Sequence, residues 1–223
     1  MMLFSVFFFR AFAYEVLDKN EINCFDRNLI NSYSDGLDTA GTIVTAGMIA
    51  APALLVLVPT VRNEFDWSNG GYKSALWLGA TYAESLACAW LAKEGLKHLV
   101  SRERPYMYFS GAPENEIEDG EYKDSFPSGH TTLAFCSAAF MTASYCKLFP
   151  ESDHKLAVGI SSFALAAMVG ASRVAAGCHF TTDVLAGAVI GTAFGILFPL
   201  LNIRQDNIGF AFTGNGVAAH IEL

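Results

Sequence analysis

The chain has 223 residues, enough for one domain of ordinary size. Hydrophobic residues make up 52% and charged residues 16%, well short of the roughly 25% charge of a soluble domain; the mean hydropathy is +0.33. A formal net charge of −8 argues against a nucleic-acid binder, which needs a basic face, yet allows a few buried cations to hold an anion.

In chain order, Met1 to Ala13 carries an apolar burst, LFSVFFF, before Arg10. It reads as a short anchor helix or a signal remnant ending at Ala11-Phe12-Ala13. Against both, no positive charge precedes the burst, and it is too short to cross a bilayer. Residues 1–38 form this segment plus a polar lead-in, 39–205 a helical domain and 206–223 a tail. Thr39 to Val61 is uncharged and long enough to span a hydrocarbon core of about 30 Å. A helix over Gly71 to Val100 is interrupted by Glu84, Lys93, Glu94 and Lys97; Glu84, amid apolar residues, calls for a structural partner. Ser101 to Phe126 is a charged loop, and its acid run from Glu114 to Glu121 reads as solvated.

Three apolar helices follow over Thr131–Leu148, Lys155–Ala176 and Thr181–Ile203, rich in Ala, Gly, Ser and Thr. Such composition suits close packing in lipid and suits a tight soluble bundle equally. The tail alternates Ile208, Phe210 and Phe212 before Asn215-Gly216, a hairpin signal. The five cysteines show no CxxC or zinc-like spacing, so no metal is expected. They read as small apolar fillers.

Three clusters carry chemistry. Lys97 is followed, after six residues, by Arg104-Pro105; seven-residue spacing on a helix puts both cations on nearly one face. Alone, the pair reads as readily as snorkelling side chains. Phe126-Pro127-Ser128-Gly129-His130 precedes an apolar helix. Ser128 can cap it, Gly129 allows close backbone approach, and free amides there favour an anion, although a plain helix start with an incidental His130 reads equally. Ser172-Arg173, His179 and Asp183 form the third. One helical turn from His179, the carboxylate can orient the imidazole, or the two can make a structural hydrogen bond. Together, Lys97, Arg104 and Arg173 are three cations in a charge-poor chain. Burying them is costly unless an anion pairs them, and phosphate suits arginine by bidentate bonding. One imidazole can then attack phosphorus while the other protonates the leaving oxygen.

The clusters KHLVSRERP at 97–105, PSGH at 127–130 and SRVAAGCHFTTD at 172–183 resemble the signature of the type 2 phosphatidic acid phosphatase (PAP2) superfamily, KxxxxxxRP, PSGH and SRxxxxxHxxxD. All eleven specified positions match. The resemblance covers Lys97 to Asp183 and implies an all-α fold, a PAP2-like bundle of five to six mostly apolar helices embedded in a membrane. It implies that His179 becomes phosphorylated, that Asp183 orients it, and that His130 serves as acid and then base. Lys97, Arg104, Ser128, Gly129 and Arg173 would bind phosphate, with no cofactor and no metal. The implied partners are a lipid phosphate or diphosphate and membrane lipids, with no nucleic acid. The implied site faces away from the cytoplasm, with Arg62, Lys73, Lys147 and Lys155 on the opposite side. A soluble periplasmic acid phosphatase of the same superfamily is the alternative. A vanadium haloperoxidase or a non-catalytic lipid-phosphate binder are the remote ones.

Overall fold

The computed structural model describes residues 14–61, 72–203, 208–213 and 216–221. The expected anchor or signal segment, Met1–Ala13, and Arg62 lie outside them. In chain order the elements are α1 (Cys24–Arg27), α2 (Asp35–Ala50), α3 (Leu54–Val61), α4 (Tyr72–Leu99), α5 (Glu114–Glu118), α6 (Gly129–Leu148), α7 (Lys155–Ala175), α8 (Thr181–Asn202), β1 (Ile208–Thr213) and β2 (Gly216–Ile221). The body is helical. The tail strands pair antiparallel, with Ile208 opposite Ile221 and Thr213 opposite Gly216.

The uncharged run expected from Thr39 to Val61 is helical, and Asp35–Leu57 is long and apolar enough to span a membrane, but its α ladder is interrupted once. A 3-10 turn over Ala51–Ala53 separates α2 from α3, because Pro52 has no backbone N–H and cannot continue the α ladder. At its other end α2 starts at Asp35 and takes Asp35 and Asp38 into its first turn, where the helix dipole favours carboxylates.

Helix α8 lies along α6 on glycine. Gly187, Gly191 and Gly195 recur every fourth residue, so they share one face. A Cβ on Gly191 would collide with the Thr132 carbonyl and one on Gly195 with the Cys136 carbonyl. The helices therefore approach to backbone contact, as small residues allow in a membrane bundle. This registers the start of α6 against the start of α8, and Ser128 N donates to Asp183 O at 3.1 Å. Met48, Ala134, Ala138, Ala166 and Val169 join α2, α6 and α7. Leu55, Leu78, Phe140 and Ile203 join α3, α4, α6 and the end of α8. The Glu84 carboxylate accepts from Asn202 at 3.1 Å.

Outside this core the surface is apolar. Leu156, Ile160, Leu185 and Val189 are 73%, 62%, 53% and 70% exposed, an arrangement water penalises and lipid does not. Asp35–Leu57, Lys155–Ala175 and Thr181–Asn202 are long and apolar enough to cross a membrane. Lys97, Arg173 and the starts of α2, α6 and α8 share one end of the bundle. Lys73, Lys147 and Lys155 share the other.

A cap closes the first end. Tyr106, Met107 and Ala112 are buried with Tyr14, Leu17 and Tyr33 against them. Its strap, 102–104, pairs with 122–125 through Arg102 N to Lys123 O at 2.9 Å and Arg104 N to Tyr122 O at 2.7 Å. Gly177, at φ 72°, makes the turn after α7 possible. A Cβ there would lie 2.5 Å from Asn31 O and 2.6 Å from Ser32 O, so the lead-in packs directly on this turn.

Candidate active site

Lys97 occupies the last turn of α4, which stops at Leu99. Arg104 does not follow on the same helical face, as its spacing suggests. It is extended, at φ −77° and ψ 154°, as a residue before proline prefers. The strap, rather than helix phase, returns its side chain to the cavity. His130 is the second residue of α6 and Arg173 lies in the last turn of α7. His179 follows the Gly177 turn.

These elements enclose a cavity of about 540 Å³ whose wall includes Lys97, Arg104, Gly129, His130, Arg173 and His179. Six of the eight residues singled out in the sequence therefore share it. The other two, Ser128 and Asp183, are fully buried and absent from the lining. Ser128 caps α6, its hydroxyl 2.9 Å from Thr131 Oγ1.

The His179 ring is held by a carbonyl. Nδ1 lies 2.7 Å from Ser125 O, and a carbonyl only accepts, so Nδ1 carries the proton. In the neutral ring Nε2 then keeps its lone pair. Burial, followed by the positive charge of Arg104, holds this imidazole well below the usual histidine range. Asp183 Oδ2 is 3.9 Å from Nδ1, beyond hydrogen-bond reach. It accepts instead from Ser125 Oγ at 2.6 Å and Phe180 N at 2.8 Å. Its other oxygen takes Arg102 Nη1 at 2.5 Å.

Arg102 bridges two buried acids, reaching Asp26 Oδ2 at 2.8 Å while its guanidinium covers the Phe180 ring at 3.9 Å. Burial pushes the Asp26 carboxyl up, but hydrogen bonds from Thr182, Arg102 and Asn23 together bring it below its ordinary value. The lead-in, the strap and α8 are thus locked behind His179.

Arg173 is 1% exposed and bonds Asp38 Oδ1 at 2.6 Å and Asp38 O at 2.6 Å. Its guanidinium fits only because Gly41 has no side chain to collide with it. Arg104 pairs with Glu116 at 3.2 Å and Glu121 at 3.5 Å. The Nε of each arginine is buried without a partner, a deficit that an anion's oxygens would fill. His130 Nε2 is 3.0 Å from Thr42 Oγ1.

The sequence reading missed Asp38, Thr42, Thr45, Trp90, Lys93, Glu116 and Glu121, all on the wall. Asp38, Thr42 and Thr45 carried a signal, a polar stripe at helical spacing on an apolar helix. Trp90, Lys93 and Lys97 repeat it on α4. Glu116 and Glu121 carried none, and part of the acid run expected to be solvated faces Arg104.

Fold and site together define a membrane-embedded helical protein with a cation-walled, histidine-bearing cavity at one end. The PAP2 superfamily model matches residues 76–206, and the chain belongs to that superfamily. It is 32% identical over 133 residues to a lipid A 1-phosphatase of Rhizobium johnstonii, covering 57% of this chain and 49% of the relative. It is 44% identical over 85 residues to phosphatidylglycerophosphatase B of Bacillus subtilis, covering 38% of this chain and 40% of the relative. The chain spans about half the length of the curated relatives it matches. A crystal structure of a transmembrane PAP2 type phosphatidylglycerolphosphate phosphatase from Bacillus subtilis superposes with a TM-score of 0.49 and 27% identity, over 78% of this chain and 80% of that one.

Proposed function

We propose that the protein hydrolyses a lipid phosphate or diphosphate through a phosphohistidine on His179, without a metal. The observation that carries this reading is the Ser125 carbonyl on Nδ1, which leaves Nε2 as the nucleophile in a cavity walled by Lys97, Arg104 and Arg173. Nε2 forms a bond to phosphorus as the bond to the leaving oxygen breaks. Burial and the charge of Arg173, Arg104 and Lys97 disfavour a proton on His130; bound phosphate offsets that charge, so His130 takes up a proton in the complex and gives it to the leaving oxygen. The three cations neutralise charge building on the equatorial oxygens. In the second half, water attacks the phosphohistidine, His130 takes its proton, and orthophosphate leaves with His179 restored.

The names of the relatives, lipid A 1-phosphatase and phosphatidylglycerophosphatase B, support a lipid substrate, as does the apolar exterior. A soluble acid phosphatase would not expose Leu156, Ile160 and Val189 together. The site faces away from the cytoplasm in this reading, since Lys73, Lys147 and Lys155 gather at the opposite end. The test is phosphate release from lipid phosphates by the detergent-purified protein, with acid-quench detection of the covalent adduct. The wild type should form an adduct and His179→Ala should show neither adduct nor release. Turnover by His179→Ala overturns the assignment.

A further inference from the structure

Lys93 is the one cation among the described wall residues that none of the three signature clusters contains. It stands one turn before Lys97 on α4, on the same face, which places it about 6 Å deeper along the bundle. Its side chain is only 9% exposed. The stem lies against the start of α6, where a Cβ on Gly129 would meet Lys93 Cδ and Cε at 3.3 Å and Nζ at 3.6 Å. The ammonium pairs with Glu94. An ammonium carries three donors, so that pair leaves others for a ligand.

The wall changes character with depth. Along α2 it runs from Asp38 through Thr42 to Ala46 and Ile49, about 16 Å by helical rise. On α4 it runs from Lys97 through Lys93 to Trp90. Ile49 also lines a second cavity of about 540 Å³, bounded by Pro52, Val56, Leu78 and Phe140, with the apolar character of a hydrocarbon site. Lys93 therefore sits between the charged end and the apolar one.

We propose that Lys93 forms a second anion subsite that takes the inner phosphate of a diphosphate-linked lipid. This inference rests on the phosphatase reading above and narrows its substrate class. The outer phosphate lies at Lys97, Arg104 and Arg173 within reach of His179. The leaving group points down the wall toward the apolar end, and the next cation it meets is Lys93. When Nε2 bonds to the outer phosphorus and the phosphoanhydride bond breaks, the inner phosphate departs with its bridging oxygen. His130 supplies that oxygen's proton, and Lys93 offsets the remaining negative charge where water is scarce. A monoester presents only its ester linkage and chain at this depth.

The experiment compares a monophosphate and a diphosphate of one prenyl chain in detergent, using wild type, Lys93→Gln and Lys93→Arg. The ratio of kcat/KM for diphosphate over monophosphate should fall about tenfold in Lys93→Gln, the worth of one charged hydrogen bond, and recover in Lys93→Arg. A second arm needs only the wild type: methylenediphosphonate should inhibit about tenfold more strongly than orthophosphate. An unchanged ratio in Lys93→Gln, or equal inhibition by the two anions, overturns the subsite. Failure of the wild type to release phosphate from either lipid overturns the phosphatase reading instead.

Discussion

His179 and Asp183 stand 3.9 Å apart, Nδ1 to Oδ2, and are joined through Ser125, whose carbonyl accepts from the ring at 2.7 Å and whose hydroxyl donates to the carboxylate at 2.6 Å. The carboxylate thus acts on the imidazole by fixing the loop that fixes the ring. Ser125→Ala keeps the carbonyl but cuts the link, and should lower kcat/KM for phosphate release about tenfold, the scale of one buried hydrogen bond. Asp183→Ala also leaves Arg102 short of a partner, and should cost at least about a hundredfold. A Ser125→Ala enzyme with full activity would mean that the carboxylate orients nothing through this route.

The protonation of His179 sets a limit on the acid side. In the proposed mechanism the neutral ring is the nucleophile, and its folded pKa lies well below the ordinary value, which is near 6.5. Loss of the nucleophile on acidification should therefore occur below about pH 6.5. Stability has a related sign. Below that pH the unfolded chain binds this proton and the folded chain does not, so this group weakens the fold toward acid. The rate of phosphohistidine formation against pH checks the first statement. An acid limb above pH 6.5 would contradict it.

Much of this is legible in the sequence, for separable reasons. Helix lengths follow from uncharged runs, because a bundle in lipid tolerates few charges, so α6, α7 and α8 fall within two residues of expectation. The cavity's Lys97, Arg104, His130, Arg173 and His179 stand out because charged and titratable side chains are scarce in this chain and these fall in the three signature clusters. What spacing could not supply is the route by which they meet. Arg104 returns on an extended strap, and Asp183 reaches His179 through Ser125, both products of tertiary pairing between 102–104 and 122–125. Asp38 and Thr42 gain their roles only when α2 docks on α7 and α6. Pro52 marks the 3-10 turn between α2 and α3, a feature that hydropathy alone does not reveal.

The α6–α8 contact should be intolerant of volume. Gly191→Val forces a side chain onto the Thr132 carbonyl, and overpacking of this kind costs about 2 kcal/mol. Gly47 has nothing within 4 Å of a would-be Cβ, so Gly47→Ala should be neutral or slightly stabilising, alanine being the better helix former. Thermal melting of the two variants in one detergent checks the contrast. Equal melting temperatures would show that the glycine stripe does not set the helix spacing.

Gly41 tests the same logic at the site. Gly41→Ala pushes on the Arg173 guanidinium without removing a charge, and Arg173 must give up its geometry on Asp38. Phosphate binding should weaken, with orthovanadate inhibition rising in Ki by about tenfold, the worth of one charged hydrogen bond. A normal Ki would mean that Arg173 moves aside without loss.

Glu116 and Glu121 put carboxylates on Arg104 where the proposed substrate puts phosphate. A phosphate that engages the guanidinium bidentately must displace at least one of them, so the acids oppose binding by the strength of their ion pairs. That strength is unequal. The Glu121 side chain is 58% exposed and 3.5 Å away, so water screens the pair to almost nothing. Glu116 is 19% exposed and 3.2 Å away, and it also accepts from the Tyr106 hydroxyl at 3.3 Å, so it holds its place. Glu116→Gln should lower KM about threefold to fivefold, while Glu121→Gln changes it little, with kcat near wild type in both. The opposite sign, a higher KM in Glu116→Gln, would mean that Glu116 instead aims Arg104 at the substrate.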